Sequence, residues 1–255
     1  MDINGTCIAE IKDSQGFVYV YQNKTSRILS FDGKIYQSAM KLNDINGLQL
    51  GYTQAMMLAL AFITDLKTVT IMGLGAGSIV KNLFTNFPEL TIHAIEYRQA
   101  VISLAKEFFY LPENDRLFIH KDNAVQYIKN KTTSNDVIFS DLYNADGMDA
   151  EQVQKNYLAD CKKALSKNGV LVVNICHSKF NAQNQLNQLF AEVFNNSFIS
   201  FNVAGGNTIV LAFKSALPQI NHQQLMIKCT QLQEQMNIQL VGFAKSLLAS
   251  MSEKE

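Results

Sequence analysis

Apolar residues along this chain follow two periods in turn. Up to residue 39 they come in short runs rich in β-branched and aromatic side chains, at 7–11, 17–22, 27–31 and 34–39. Polar breaks at 13–16 and 23–26 separate the first three, and Asp32-Gly33 reads as a tight turn into the fourth. This pattern predicts a small antiparallel sheet. From residue 51 to 63 the spacing becomes helical, with Met56, Met57, Leu60 and Ile63 on one face. Strand and helix patterns then alternate. Strands are predicted at 69–73, 91–95, 116–120, 136–140 and 169–175, each followed by a helix, at 78–86, 99–109, 124–129, 151–165 and 182–194. In the second of these helices Val101, Leu104, Ala105 and Phe108 share a face. Such alternation predicts a mostly parallel sheet with helices on both faces.

The end of the chain breaks the alternation. Runs at 198–203 and 208–213 are joined through Gly205-Gly206-Asn207 with no helix between them, so they read as an antiparallel hairpin added to the parallel sheet. A mixed sheet of this kind is similar to the class I methyltransferase (Rossmann-like) α/β fold. Residues 221–250 read as one or two packing helices, with Leu225, Leu232, Ile238, Leu240, Phe243, Leu247 and Leu248 as the apolar face. The expected organisation is an N-terminal β-domain over residues 1–48 and an α/β domain with C-terminal helices over 49–255.

Length and charge narrow the function classes. The 255 residues are 47% hydrophobic, enough for a sizeable core. Lysine plus arginine and aspartate plus glutamate both number 22, so there is no basic excess of the kind a nucleic-acid binder shows. Cys7, Cys161, Cys176 and Cys229 are scattered without a metal-binding or redox spacing and read as isolated buried thiols in a reducing compartment. No charged segment followed by an apolar run opens the chain, and no stretch reaches the ~18 apolar residues of a membrane span. A cytoplasmic protein with no metal and no membrane or nucleic-acid partner is expected.

The candidate chemistry lies at the strand ends. The stretch from Thr68 to Ser78 runs an apolar strand into Gly73-Leu74-Gly75-Ala76-Gly77 and then into a helix pattern. Glycines at 73, 75 and 77 allow a tight turn and close approach of the backbone to a ligand. Glu96 ends the second strand, Asp122 and Asn123 follow the third, and Asp141 follows the fourth. In an open α/β sheet ligands lie beyond these ends. Glu96 can accept hydrogen bonds from two ribose hydroxyls, and Asp122 from an adenine amino group with the adjacent N–H meeting a ring nitrogen. Taken alone, Asp122 also reads as the N-cap of the helix starting at Ala124. The later acids and the terminal hairpin fit an adenosyl-sulfonium ligand better than a dinucleotide.

These residues resemble the spermidine synthase (polyamine aminopropyltransferase) family over roughly residues 17 to 215. The matching motifs are Phe31-Asp32-Gly33, the helix start at Tyr52–Met56, the loop Gly73–Ser78, Ala94-Ile95-Glu96-Tyr97, Tyr110-Leu111-Pro112 with Asn114-Asp115-Arg116, Asp122-Asn123, and Asp136–Asp141, with Tyr157 and Leu165 in the following helix. The resemblance implies a donor of the decarboxylated S-adenosylmethionine type and attack by an amine on the propyl carbon next to sulfur. It also implies a homodimer. It assigns Asp141 as the base that deprotonates the amine, and Tyr52, Gln54, Tyr143 and Asn144 to the substrate side.

The departures from the family pattern are concentrated on that side. The acid of the glycine loop is Ala76, the second acid after the fourth strand is Asn144, the histidine and glutamate after Tyr52 are Thr53 and Gln54, and the glutamine after Asp32-Gly33 falls at Tyr36. The aromatic residues before the late glycines are Val203 and Ala204. Asp146 and Asp149 lie in the loop beyond Asp141 and read as solvated. Three readings stand: an aminopropyltransferase acting on an unidentified amine, a methyltransferase using intact S-adenosylmethionine, and a non-catalytic nucleoside-binding homologue.

Overall fold

The computed structural model describes residues 3–131, 134–176 and 183–252. Strands β1 (Thr6–Asp13), β2 (Gly16–Gln22), β3 (Ser26–Ser30) and β4 (Ser38–Lys41) form an antiparallel sheet in chain order. The expected tight turn at Asp32-Gly33 is instead a longer loop. The Asp32 carboxylate accepts the backbone N–H groups of Lys34 and Ile35, both at 2.8 Å, and so holds them away from β3. Pairing resumes only where Ser38 faces Leu29, so the fourth strand begins later than its sequence suggests.

A second sheet carries the rest of the chain. Its strands are β5 (Thr68–Met72), β6 (Thr91–Glu96), β7 (Leu117–Lys121), β8 (Asn135–Ser140), β11 (Leu165–Cys176), β12 (Phe198–Val203) and β13 (Asn207–Phe213). Their order is β12-β13-β11-β8-β5-β6-β7. The β11–β13 and β12–β13 pairs are antiparallel and the others parallel, as the hairpin at the end of the chain predicts. A two-stranded hairpin, β9 (Tyr143–Asn144) with β10 (Gly147–Met148), follows β8 where the sequence reads as plain loop. The helices are α1 (Gly51–Met56), α2 (Ser78–Asn86), α3 (Gln99–Phe109), α4 (Ala124–Asn130), α5 (Lys155–Ala164), α6 (Gln183–Phe194), α7 (His222–Met236) and α8 (Leu240–Ser252). Residue 182, the expected start of the sixth, lies outside the described residues.

Alternate residues of the central strands serve two cores. Val69, Ile71, Val137 and Phe139 pack with α2, α7 and α8, while Met72 and Ile138 pack with α4, α5 and α6. Two expected helices are revised. The first gives way after Met56 to a 3₁₀ segment over Met57–Phe62. The one expected at 151–165 is a 3₁₀ turn (Ala150–Val153) followed by α5, and Leu165 already belongs to β11. The C-terminal stretch is two helices, within the one or two expected, broken at Asn237, which takes the left-handed conformation at φ 52°. Cys161 and Cys229 are buried as expected, but Cys7 is exposed on β1 and Cys176 is half-buried.

The N-terminal sheet seats on α3. Val18, Val20, Leu29 and Met40 pack against Ala100, Val101, Leu104 and Phe109, and Ala76 of the glycine loop closes the cluster. Cations fasten both ends of the helix. At its start Arg98, 8% exposed, forms two bonds of 2.8 and 3.0 Å to the Asp13 carboxylate, donates to the Gly16 carbonyl, and lies over the Phe31 ring. At its end Lys81 donates to the Phe109 carbonyl at 2.7 Å and Arg27 to that of Phe108. Positive charge at a helix C-terminus is favourable. Burial lowers the Lys81 amine to about 8.

The hydrogen bond from Arg98 holds the Asp13 carboxyl below the usual carboxylate range. A lowered carboxyl stabilises the fold fully above its unfolded value and loses that contribution as pH falls through the folded one. Arg98→Met leaves Asp13 part-buried without its cation and should cost on the order of 2 kcal/mol at pH 7. The loss should shrink towards pH 3, as checked by urea unfolding across pH.

Candidate active site

Strand β5 ends in the glycine turn, and Gly73, Gly75 and Gly77 all have positive φ, at 93°, 53° and 72°. At Gly73 the requirement is also steric. A Cβ there would lie 2.3 Å from the carbonyl oxygen of Asp141, so the end of β5 and the chain leaving β8 touch main chain to main chain. At Gly77 a Cβ would lie 2.6 Å from Leu111.

The turn also fixes the acid at the end of β6. Glu96 accepts the backbone N–H of Leu74 at 3.2 Å through one oxygen and that of Arg98 at 2.8 Å through the other. Burial raises its carboxyl and these N–H groups oppose the rise. Each oxygen retains a lone pair, so the group can still accept from two hydroxyls. Asp122 follows at the end of the neighbouring strand, is exposed, and accepts from the Asn123 N–H at 2.8 Å. Asn123, not Asp122, is the N-cap of α4, accepting from Val125 and Gln126. The expected capping role moves by one residue because the Asn123 side chain is the one placed over the first turn.

Asp141 is part-buried at the end of β8. Its Oδ2 accepts from the Tyr52 hydroxyl at 3.2 Å and its Oδ1 from the Asn174 amide at 2.9 Å. Burial raises its pKa to about 6, against the lowering effect of these two donors. Tyr143 lies beside it, its hydroxyl donating to the Asn174 carbonyl at 3.4 Å. Burial and the Asp141 charge both push the Tyr143 and Tyr52 phenols up, so they stay protonated donors. Beneath this layer Gln152, fully buried, accepts from Ser140 at 3.0 Å and from the Leu142 N–H, and donates to the Asn174 carbonyl.

Two groups of the expected residues therefore come together. Tyr52, Tyr143 and Asp141 form one. Glu96 and the glycine turn form the other, with Asp122 on the adjoining strand end. Gly73 and Leu74 join the two. Gln54 is not brought in. Its amide donates to the Leu48 carbonyl and accepts from the Gln239 N–H, which ties α1 to the α7–α8 junction. Asn144 is exposed, and its oxygen accepts the Asp146 N–H within the β9–β10 turn. Asn174 was not expected from sequence. Its signal is a single amide inside the buried apolar run 170–175. Among the described residues no cluster of three or more His, Cys, Asp or Glu could hold a metal ion, and no helix is long and apolar enough to cross a membrane.

The mixed sheet, glycine turn and strand-end acids define a class I methyltransferase-like α/β protein with an N-terminal β-sheet. Residues 50–224 match the spermine/spermidine synthase domain, and the chain belongs to that family. It is 29% identical to the polyamine aminopropyltransferase of Chromobacterium violaceum over 237 residues, 90% of this chain and 88% of the relative. It is 29% identical to the enzyme of that name from Neisseria meningitidis serogroup B over 209 residues, 81% and 79% of the two chains. A probable spermidine synthase from Corynebacterium glutamicum superposes with a TM-score of 0.75 at 18% identity, covering 87% of this chain and 86% of that one. Human methyltransferase-like protein 13 in complex with SAH superposes at 0.66 and 18% identity, covering 75% and 94%. At these identities the superpositions establish the fold.

Gly73→Ala should place a methyl against the Asp141 main chain in a backbone conformation that L residues avoid. A destabilisation of about 2–3 kcal/mol is expected, measured as a fall in the thermal midpoint. Gly206→Ala, whose Cβ meets nothing within 4 Å, controls for backbone strain alone at φ 85° and should cost less.

Proposed function

We propose that this chain is an aminopropyltransferase that uses a decarboxylated S-adenosylmethionine-type donor and an amine acceptor. The observation that carries the reading is Asp141. It is a carboxylate at the end of β8, part-buried, with Tyr52 on one oxygen, in a chain whose family relatives bear the name polyamine aminopropyltransferase. Glu96 takes the ribose hydroxyls, Asp122 and the Asn123 N–H take the adenine edge, and the glycine turn lets the nucleoside lie close to the main chain.

In this reading the acceptor nitrogen arrives as an ammonium and gives a proton to Asp141. An alkylammonium has a pKa near ~10 and cannot attack until it loses that proton. Burial narrows the gap from both sides: it raises the carboxyl to about 6 and disfavours the cation. The free lone pair attacks the propyl carbon attached to sulfur. The C–S bond breaks with its electron pair going to sulfur, and neutral methylthioadenosine leaves. The sulfonium is a good leaving group, so the protein's main work is alignment.

The loop position that carries an acid in the family pattern is Ala76, fully buried beneath the N-terminal sheet. That favours, as a second reading, an intact S-adenosylmethionine donor, whose carboxylate an acid there would repel. Calorimetry with both donors separates the two: tighter binding of the decarboxylated form supports aminopropyl transfer, and tighter binding of the intact form supports methyl transfer. The resemblance also supports a homodimer, expected at twice 28.6 kDa by light scattering.

Asp141→Asn should lower methylthioadenosine release by about 10²–10⁴-fold, the usual worth of a positioned base, while leaving nucleoside binding within a few fold. Because the base must be ionised, wild-type turnover should fall as pH drops through about 6. Release of methylthioadenosine at wild-type rate from the Asn variant would remove the assignment.

A further inference from the structure

Asp141 is the inner end of a chain of two side-chain amides. Its Oδ1 accepts from Asn174 Nδ2 at 2.9 Å, and Asn174 Oδ1 accepts from Asn207 Nδ2 at 2.8 Å. Asn174 stands in the buried part of β11, only 1% exposed, and Asn207 at the first position of β13. In the sheet their neighbours in register are Ile209 and Cys176 respectively, so the two amides meet diagonally across the antiparallel pair. Asn207 also lies beside the Tyr143 phenol and favours its ionised form, which brings the hairpin after Asp141 next to the same network.

We infer that Asn174 and Asn207 are positioning residues for Asp141: an amide relay that fixes which way its carboxylate faces and holds it ionised. An ionised carboxylate only accepts, so Asn174 must present its NH₂ to Asp141 and its carbonyl to Asn207. The reverse orientation would set the Asn174 carbonyl against the carboxylate, two acceptors in contact. Asn207 keeps that reverse orientation from forming, because its own NH₂ already faces Asn174. Thus the sense of both amides is set by the charge on Asp141, and both favour keeping it. With Oδ1 held by Asn174 and Oδ2 by Tyr52, rotating the carboxylate would break one or both bonds, and each oxygen keeps a lone pair for a further donor. The relay rests on the proposed role of Asp141 for its meaning, but its existence can be tested without turnover.

The groups facing Asp141 are Tyr52 from α1, Tyr143 from β9, and Asn174 from β11, with Cys176 next to Tyr143. Of these, Asn174 and Tyr52 donate to the carboxylate. Loss of one such donor should therefore raise the Asp141 titration midpoint, by about tenfold in acid constant, one pH unit, for a hydrogen bond to a charged group. The experiment is a ¹³C NMR titration of full-length protein with carboxyl-labelled aspartate, the Asp141 signal being identified by its absence in Asp141→Asn. Asn174→Ala should raise the midpoint by about one unit. Asn207→Ala, remote from the carboxylate, should raise it by a smaller but measurable amount, and Asn207→Gln should restore part of the shift. Thermal midpoints report whether each variant is folded. If Asn174→Ala does not fold, the Asn207 pair alone decides. An unchanged midpoint in folded Asn207→Ala overturns the relay. A shifted midpoint without any methylthioadenosine release in the wild type would keep the relay and overturn the aminopropyl reading instead.

Discussion

Strand β5 turns into its loop in direct contact with the chain that leaves β8, at a spacing where a single Cβ on residue 73 would lie 2.3 Å from the Asp141 carbonyl. Parallel strands are spaced by their ladder bonds at about 4.8 Å, and here the departing chains stay that close for one residue more. Asp141 N–H still bonds to the Met72 carbonyl at 2.9 Å, and Gly73 N–H to that of Ile95. The sheet thus extends one rung past its formal ends. That extra rung is what brings the proposed nucleoside side, built on β5 and β6, against the acid of β8. Loosening it would separate Glu96 from Asp141 without touching either side chain.

Around that contact the electrostatics divide by strand. Glu96 is supported by backbone N–H groups, which no substitution of a neighbouring side chain removes. Asp141 depends on side chains, a phenol and an amide, drawn from α1 and β11. The first acid is a property of the fold and the second a property of the particular sequence. The departures from the family pattern lie elsewhere than at these two acids. They leave glycines 73, 75 and 77 and Glu96 in place, and they fall at positions 36, 53, 54, 76, 144, 203 and 204.

Much of the architecture was legible because periodicity and glycine placement are local signals. The alternation from residue 68 onward and the closing hairpin carry their order in sequence. The strand-end acids followed from that order. What escaped has identifiable causes. The loop at 31–37 depends on the Asp32 side chain capturing two backbone donors, which an Asp-Gly pair cannot distinguish from a two-residue turn. Asn123 displaced Asp122 as a cap because adjacent residues of equal capping tendency differ only in where the backbone aims them. Gln54 sits beside Tyr52 in sequence, but two steps along a helix points it towards the C-terminal helices instead. Asn174 could have been flagged: an amide amid Val and Ile of a buried strand requires a partner.

Ala76 carries a consequence for how this chain relates to its family. Its methyl is packed among Val18, Val20, Leu29 and Met40, so the loop we propose to cradle the nucleoside serves as flooring for the N-terminal sheet. An acid at this point would have to desolvate among hydrocarbon or lift the sheet away. A charged residue in this loop therefore constrains the sheet's inner face: apolar residues such as Val18 and Met40 would have to change alongside residue 76, and the two halves of the molecule are physically interlocked.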